Sequence, residues 1–183
     1  PMLSRVYKKY LNIKNYRFAA ALYPMVMIIT GRGCPFRCSF CLYPQTMHGR
    51  KYRLRSVENV VEEFSFIVQE FPEVKEIVIE DDTFTAELGR VRQICRMLIE
   101  RNIRIPWSAN ARINLDYGTM KLMREAGCRL LIVGFESGNQ SILNNVHKGI
   151  RLEQSIQFME NAKKAGILVH GCYMIGLPGE TKE

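Results

Sequence analysis

The sequence predicts an α/β fold built on a parallel sheet, and three observations predict it. Five short apolar runs alternate with stretches of helical period, the rhythm of βα units joined by right-handed crossovers. The first of these runs, Met25 to Ile29, is continuously apolar, as a strand covered on both faces is. Each run ends in polar or glycine-rich residues, and in parallel βα folds the carboxyl ends of the strands surround one mouth. With 183 residues, 47% of them hydrophobic and 24% charged, the chain has room for one domain with a sizeable core.

In order along the chain, residues 1–24 are basic and tyrosine-rich with weak periodicity and read as a linker or wrap-around lead-in. Residues 25–183 read as the core domain. Met25 to Ile29 is the first strand and feeds Thr30-Gly31-Arg32-Gly33. A helix is signalled from Ser56, a hydroxyl N-cap with Glu58 in the first turn, and apolar residues at 57, 60, 61, 64, 67 and 68 follow its period until Pro72 stops it. Ile77 to Ile79 is the second strand and Thr85 to Arg101 the second helix. Ile105 to Ala111, a helix from Asp116 to Ala126 closed by Gly127, and the strand Leu130 to Val133 repeat the pattern. A short helical piece near Ser141 to Val146 and a longer one from Leu152 to Ala165, closed by Gly166, lead to the fifth strand, Ile167 to Ile175. Beginning with proline and ending at Glu180-Thr181-Lys182-Glu183, the chain reads as a piece of a longer one, truncated at its C-terminal end.

No apolar run approaches the length of a membrane span, and no signal-peptide pattern opens the chain. Six cysteines without a secretory signature argue for a reducing, cytoplasmic setting rather than disulfides. The formal charge of +8 suits an anionic substrate or an absent partner domain better than nucleic acid. The positives are spread over many helices, and no aromatic–basic binding motif accompanies them.

The chemistry concentrates in Gly33-Cys34-Pro35-Phe36-Arg37-Cys38-Ser39-Phe40-Cys41. Three thiols within eight positions, directly after a strand, can turn inward on one small inorganic centre. A closed structural zinc site takes four ligands, and ferredoxin runs bring a fourth cysteine for each cubane. Here the next thiol, Cys95, lies in a separate helix. Three thiolates on a four-iron cubane would leave one iron for a ligand that is not protein.

The other strand ends supply Glu80-Asp81-Asp82, then Ser108, Asn110 and Arg112, then Glu136-Ser137, then Gly176-Leu177-Pro178-Gly179-Glu180. Asp81 and Asp82 either cap the second helix and pair with arginines or receive a cationic amino group. Arg112 is either a surface arginine or a bidentate carboxylate partner, with Asn110 beside it. Glu136 follows an apolar run, where an unpaired carboxylate is costly; it is either a ribose or cofactor contact or one half of a structural ion pair. The run His48, Arg50, Lys51, Arg53, Arg55 reads as a solvated loop face, with a phosphate or carboxylate grip as the alternative. His147 and His170 stand isolated. Cys95, Cys128 and Cys172 read as core thiols.

The cysteine spacing, with Phe40 immediately before the last thiol, resembles the radical S-adenosylmethionine (SAM) superfamily. The resemblance implies a partial parallel βα barrel, of which this chain holds five strands with a sixth expected beyond Glu183, a [4Fe-4S] cluster held by Cys34, Cys38 and Cys41, and SAM on the open iron. Cofactor contacts are then expected from Phe40, Asp81, Asp82, Asn110, Arg112 and Glu136, and from Met174, Ile175 and Gly176 running past adenine. It implies reductive cleavage of SAM to a 5′-deoxyadenosyl radical that acts on an unactivated carbon of a small-molecule or lipid-type substrate. The electron would come from a donor such as flavodoxin or ferredoxin. The runs Cys41 to Thr46, Glu80 to Thr85, Ser108 to Arg112 and Gly134 to Gln140 resemble the cobalamin-associated class, and within it the hopanoid-biosynthesis-associated proteins. A cobalamin domain precedes the barrel in that class; no Asp-x-His-x-x-Gly run occurs here, so cobalamin is an expectation for the parent protein only. Two alternatives stand beside this reading. One is a methylthiotransferase-like RNA or protein modifier, on the Gly-Leu-Pro-Gly-Glu-Thr ending; the other is a non-catalytic zinc-binding module.

Overall fold

A computed structural model describes residues 6, 9–47, 49 and 51–181 of the chain; His48 and Arg50 of the basic run lie outside the described residues. A five-stranded parallel sheet has the order β1 (Met25–Ile28), β4 (Glu76–Ile79), β5 (Trp107–Ala111), β6 (Cys128–Glu136), β7 (Leu168–Tyr173). The order follows the chain without reversal, as a barrel wall does and a doubly wound sheet does not. The sheet is not closed. Between β1 and β4 a small antiparallel hairpin, β2 (Gly31–Arg32) with β3 (Arg53–Leu54), brackets the cysteine loop. The sequence showed no hairpin there, because two-residue strands carry no periodicity.

The helices are α1 (Tyr43–Thr46), α2 (Val57–Glu70), α3 (Leu88–Glu100), α4 (Tyr117–Glu125), α5 (Gln140–Asn145) and α6 (Leu152–Ala165). The start signals act as expected: the Ser56 hydroxyl accepts from Asn59 N at 3.2 Å, and Asp116 accepts from Thr119 N at 2.9 Å. Gly166 ends α6 at φ +74, a left-handed cap that glycine adopts without strain. The second helix was expected to run unbroken from Thr85. Instead a 3-10 turn over Phe84–Ala86 precedes α3, and it seats Phe84 edge-on against Trp107, ring centroids 5.7 Å apart.

Alternation along the strands divides the sheet into two faces. Ile77, Ile79, Trp107, Ala109, Leu131, Val133 and Phe135 join the helices in one hydrophobic core. Val78, Ser108 and Leu130 share one register row on the other face, and Asn110, Arg112 and Glu136 follow toward the strand ends on that inner side. Burial on both faces holds for β4, whose four residues are all buried, and fails for β7, where Leu168 is 57% and Tyr173 65% exposed. Among the described residues β7 pairs only with β6, so its apolar composition faces open solvent. The described part of the lead-in is tied to the opposite rim. Glu76, fully buried, accepts from Leu22 N and from Arg129, and Arg129 also reaches the carbonyl of Ala20. No helix of the described residues is long and apolar enough to cross a membrane.

Candidate functional site

The cysteine loop leaves β1 at the carboxyl rim and is fastened there by the next strand over. Asp81 is 1% exposed, and its carboxylate accepts from Thr30 N at 2.6 Å, Thr30 Oγ1 at 2.6 Å and Gly31 N at 2.9 Å. Arg90 of α3 donates to the Thr30 carbonyl at 2.9 Å from behind. Burial pushes the Asp81 carboxyl up, against the opposing hydrogen bonds from Thr30 and Gly31. Both of its oxygens are engaged by the loop, so this carboxylate orients the loop and does not open into the mouth. Asp82 accepts from Gly33 N at 2.7 Å. Gly33 has φ +90, and a Cβ there would lie 2.3 Å from the Lys51 carbonyl, so the turn into Cys34 admits only glycine.

Cys34, Cys38 and Cys41 are all half-buried. Burial pushes the Cys34 thiol up; the Phe36 backbone and Arg112 oppose it, while Cys38 and Cys41 push the same way, which places the three sulfurs within electrostatic range of one another. Among the described residues no three His, Cys, Asp or Glu side chains are drawn together tightly enough for a single ion. A closed zinc site takes four protein ligands; a cubane spreads its thiolates over separate irons. The donor set, three thiols from one loop and no fourth, fits the cubane.

Arg112 reaches into the loop from the end of β5. Its Nη1 lies 3.6 Å from Cys38 Sγ, its guanidinium carbon 3.8 Å from the centre of the Phe36 ring, and its Nη2 donates to the Lys148 carbonyl. It is 9% exposed and has no carboxylate partner among the described residues. Asn110 donates to the Asp81 carbonyl at 3.0 Å; the Glu80 carboxyl is pushed up by desolvation, opposed by Asn110 and reinforced by Asp81. Glu136 is 7% exposed with φ +67 and pairs with Lys148 Nζ at 2.6 Å. The ion-pair alternative for Glu136 is therefore the one realised in this geometry. Lys148 itself went unnoticed in the sequence. A buried carboxylate demands a cation, and that demand was the signal available.

The remaining expected positions gather at the same rim. Phe40 packs on Ile142, Val146 and Leu177, below the Lys148 ammonium at 5.9 Å, while Ser39 N donates to the Val146 carbonyl at 2.9 Å. Met174 N donates to the Glu136 carbonyl at 2.9 Å, Ile175 is fully exposed, and Gly176 turns at φ +89. Glu180, whose role the sequence left open, accepts from Leu177 N at 3.1 Å and from Gly176 N, holding that turn. His147 and His170 are exposed. Cys95 and Cys128 are core thiols; Cys172, expected with them, is half-exposed because it sits on the uncovered β7.

Comparison with known proteins places this geometry. The chain is 38% identical over 161 residues to an uncharacterized methyltransferase of Pyrococcus horikoshii, covering 87% of this chain and 35% of that protein. It is 32% identical to the cytidylyl-2-hydroxyethylphosphonate methyltransferase of Streptomyces wedmorensis, covering 93% of this chain and 32% of the relative. A hopanoid C-3 methylase of Methylococcus capsulatus is 27% identical, covering 87% and 30%. The fold matches the radical S-adenosylmethionine methyltransferase TsrM of Kitasatospora setae, a structure with cobalamin and a [4Fe-4S] cluster bound. That match has a TM-score of 0.77 at 23% identity over 86% of this chain and 32% of that one. The chain thus spans about a third of the length of the curated relatives it matches. The sequence profile of the radical SAM superfamily matches residues 28–183, and with the relatives above it shows that the chain belongs to that superfamily.

Proposed function

We propose that this chain is the core of a radical SAM enzyme whose Cys34, Cys38 and Cys41 hold a [4Fe-4S] cluster and which acts on an unactivated carbon of a small-molecule or lipid-type substrate. The observation that carries the reading is the cysteine loop itself: three half-buried thiols at the carboxyl rim, fastened from β4 and approached by the Arg112 guanidinium. When bound, the cluster and SAM supply a one-electron cleavage of a carbon–sulfur bond that yields a 5′-deoxyadenosyl radical.

The protein's part is to hold and shield. Asp81 and Asp82 set the loop; Asp82 stands nearer the mouth as a partner for the amino group of SAM. Arg112, with Asn110 beside it, offers a fork to the SAM carboxylate. Phe40 and the Met174–Gly176 turn form a wall for adenine, and the Glu136–Lys148 pair stands at the ribose side of that wall. The relatives named as methyltransferases favour methyl transfer over rearrangement, and the cobalamin bound in the TsrM structure supports a cobalamin domain in the parent protein.

Anaerobic reconstitution tests the reading. Iron and sulfide near four per chain and cleavage of SAM to 5′-deoxyadenosine and methionine are expected, the stoichiometry being that of a cubane. Cys38→Ala should abolish both. Zinc in place of iron, or cleavage retained in Cys38→Ala, overturns it.

A further inference from the structure

We propose that the exposed basic face made by Arg32, Arg37, Lys51 and Arg53 is the docking surface for an acidic electron-transfer protein. The proposal rests on the radical SAM reading, which requires an electron to be delivered at the cysteine loop.

From Gly31 to Val57 the chain has no Asp or Glu and six Arg or Lys. The hairpin register sets Arg32 directly opposite Arg53, both exposed. Like charges facing across strands destabilise a sheet, and no ion pair among the described residues relieves this one. Of the cations described in this stretch, Arg55 alone has an ion-pair partner, Glu63. Arg32, Arg37, Lys51 and Arg53 have none among the described residues.

Position and shape name the partner. Arg32 lies two residues before Cys34, Arg37 adjoins Cys38, and the Lys51 carbonyl packs on Gly33. In the same stretch of chain Leu42 and Met47 are 66% and 65% exposed. A small anion is gripped by convergent, buried donors. These cations instead stand separately in solvent on a hairpin and a loop, with apolar side chains nearby, as in a small, charge-steered and short-lived protein contact. Charge complementarity therefore selects an acidic protein surface. The cluster that Cys34, Cys38 and Cys41 would hold would take one electron from the reduced partner, with SAM as the final acceptor, and the partner would depart oxidised by one electron.

The test compares two reductants on the intact reconstituted protein, dithionite and a reduced flavodoxin of strongly acidic net charge. Arg32→Gln/Arg53→Gln removes two like charges that face each other, so thermal stability should be equal or slightly higher, and dithionite-driven SAM cleavage should be unchanged. Flavodoxin-driven cleavage should fall about tenfold at low ionic strength, the lower end of electrostatic steering, and the gap should close as salt rises. Equal flavodoxin-driven rates in the two proteins overturn the docking surface. An equal fall with both reductants also overturns it, placing these arginines with SAM or substrate. Failure of the unsubstituted protein to cleave SAM with dithionite overturns the functional reading and the docking surface with it.

Discussion

Lys148 Nζ lies 2.6 Å from Glu136 Oε1, with both side chains less than a tenth exposed. The residues stand twelve apart in sequence, one at the end of β6 and the other after α5. Removing one partner of such a pair leaves a buried charge and costs about 3–5 kcal/mol. Lys148→Met is therefore expected to lower stability by about 3 kcal/mol in chemical denaturation. Adding Glu136→Gln should restore part of the loss, because the stranded carboxylate is gone. Gly134→Ala is expected to act on the same pair, since a Cβ there would lie 2.1 Å from Glu136 Oε1.

Gly33→Ala tests whether loop geometry governs cluster retention. The residue has φ +90 and its Cβ would strike the Lys51 carbonyl. Strain of this kind costs about 1–3 kcal/mol, and the turn into Cys34 must shift to relieve it. Iron bound per chain after reconstitution should fall well below the unsubstituted value while the circular dichroism of the helices is retained.

Removal of the cluster should expose three thiols and no others in the core. Burial pushes Cys95 up to about 12 and holds Cys128 well above the ordinary thiol value, and alkylation requires the thiolate. With iodoacetamide near pH 8, mass spectrometry should find Cys34, Cys38 and Cys41 modified in the stripped protein and protected in the loaded one. Cys95 and Cys128 should stay unmodified in both until the chain is unfolded.

Acid should weaken the cap of α4. Hydrogen bonds from Thr119, and then the Arg92 guanidinium, hold Asp116 down to about 2 from an ordinary 3.8. A carboxylate with a depressed folded pKa contributes stability that is full above the unfolded value and is lost as pH falls through the folded one. Asp116→Asn keeps a capping oxygen and removes the titration. The stability difference between the two proteins should therefore narrow between about pH 4 and pH 2, followed by denaturant midpoints across that range.

Much of this was legible in the chain. Continuous apolar runs and capped helices marked all five sheet strands, because burial and hydrogen bonding write themselves into composition. The rim was legible for the same reason: strand ends in a parallel fold must open on one side. What pairs with what across the mouth was not. Glu136 was readable as a costly buried carboxylate, and Asp81 as a helix cap, an arginine's partner or the receiver of a cationic group. Whether Thr30, Lys148 or a cofactor answers them depends on loops whose path no periodicity records. The β2–β3 hairpin and the exposure of β7 escaped likewise, the one too short for a pattern and the other decided by its edge position among the described strands rather than by its residues.

The Glu76 carboxylate, wholly enclosed and shared by Leu22 N and Arg129, has a dynamic consequence. It rivets one end of the sheet, while the other end depends on loop contacts. Amide hydrogens of the rivet region, Ile77 among them, should exchange only with global unfolding, and those of the thiol-bearing turn through small local openings. The molecule is then a stiff base carrying a yielding lip, able to admit its cofactors without melting.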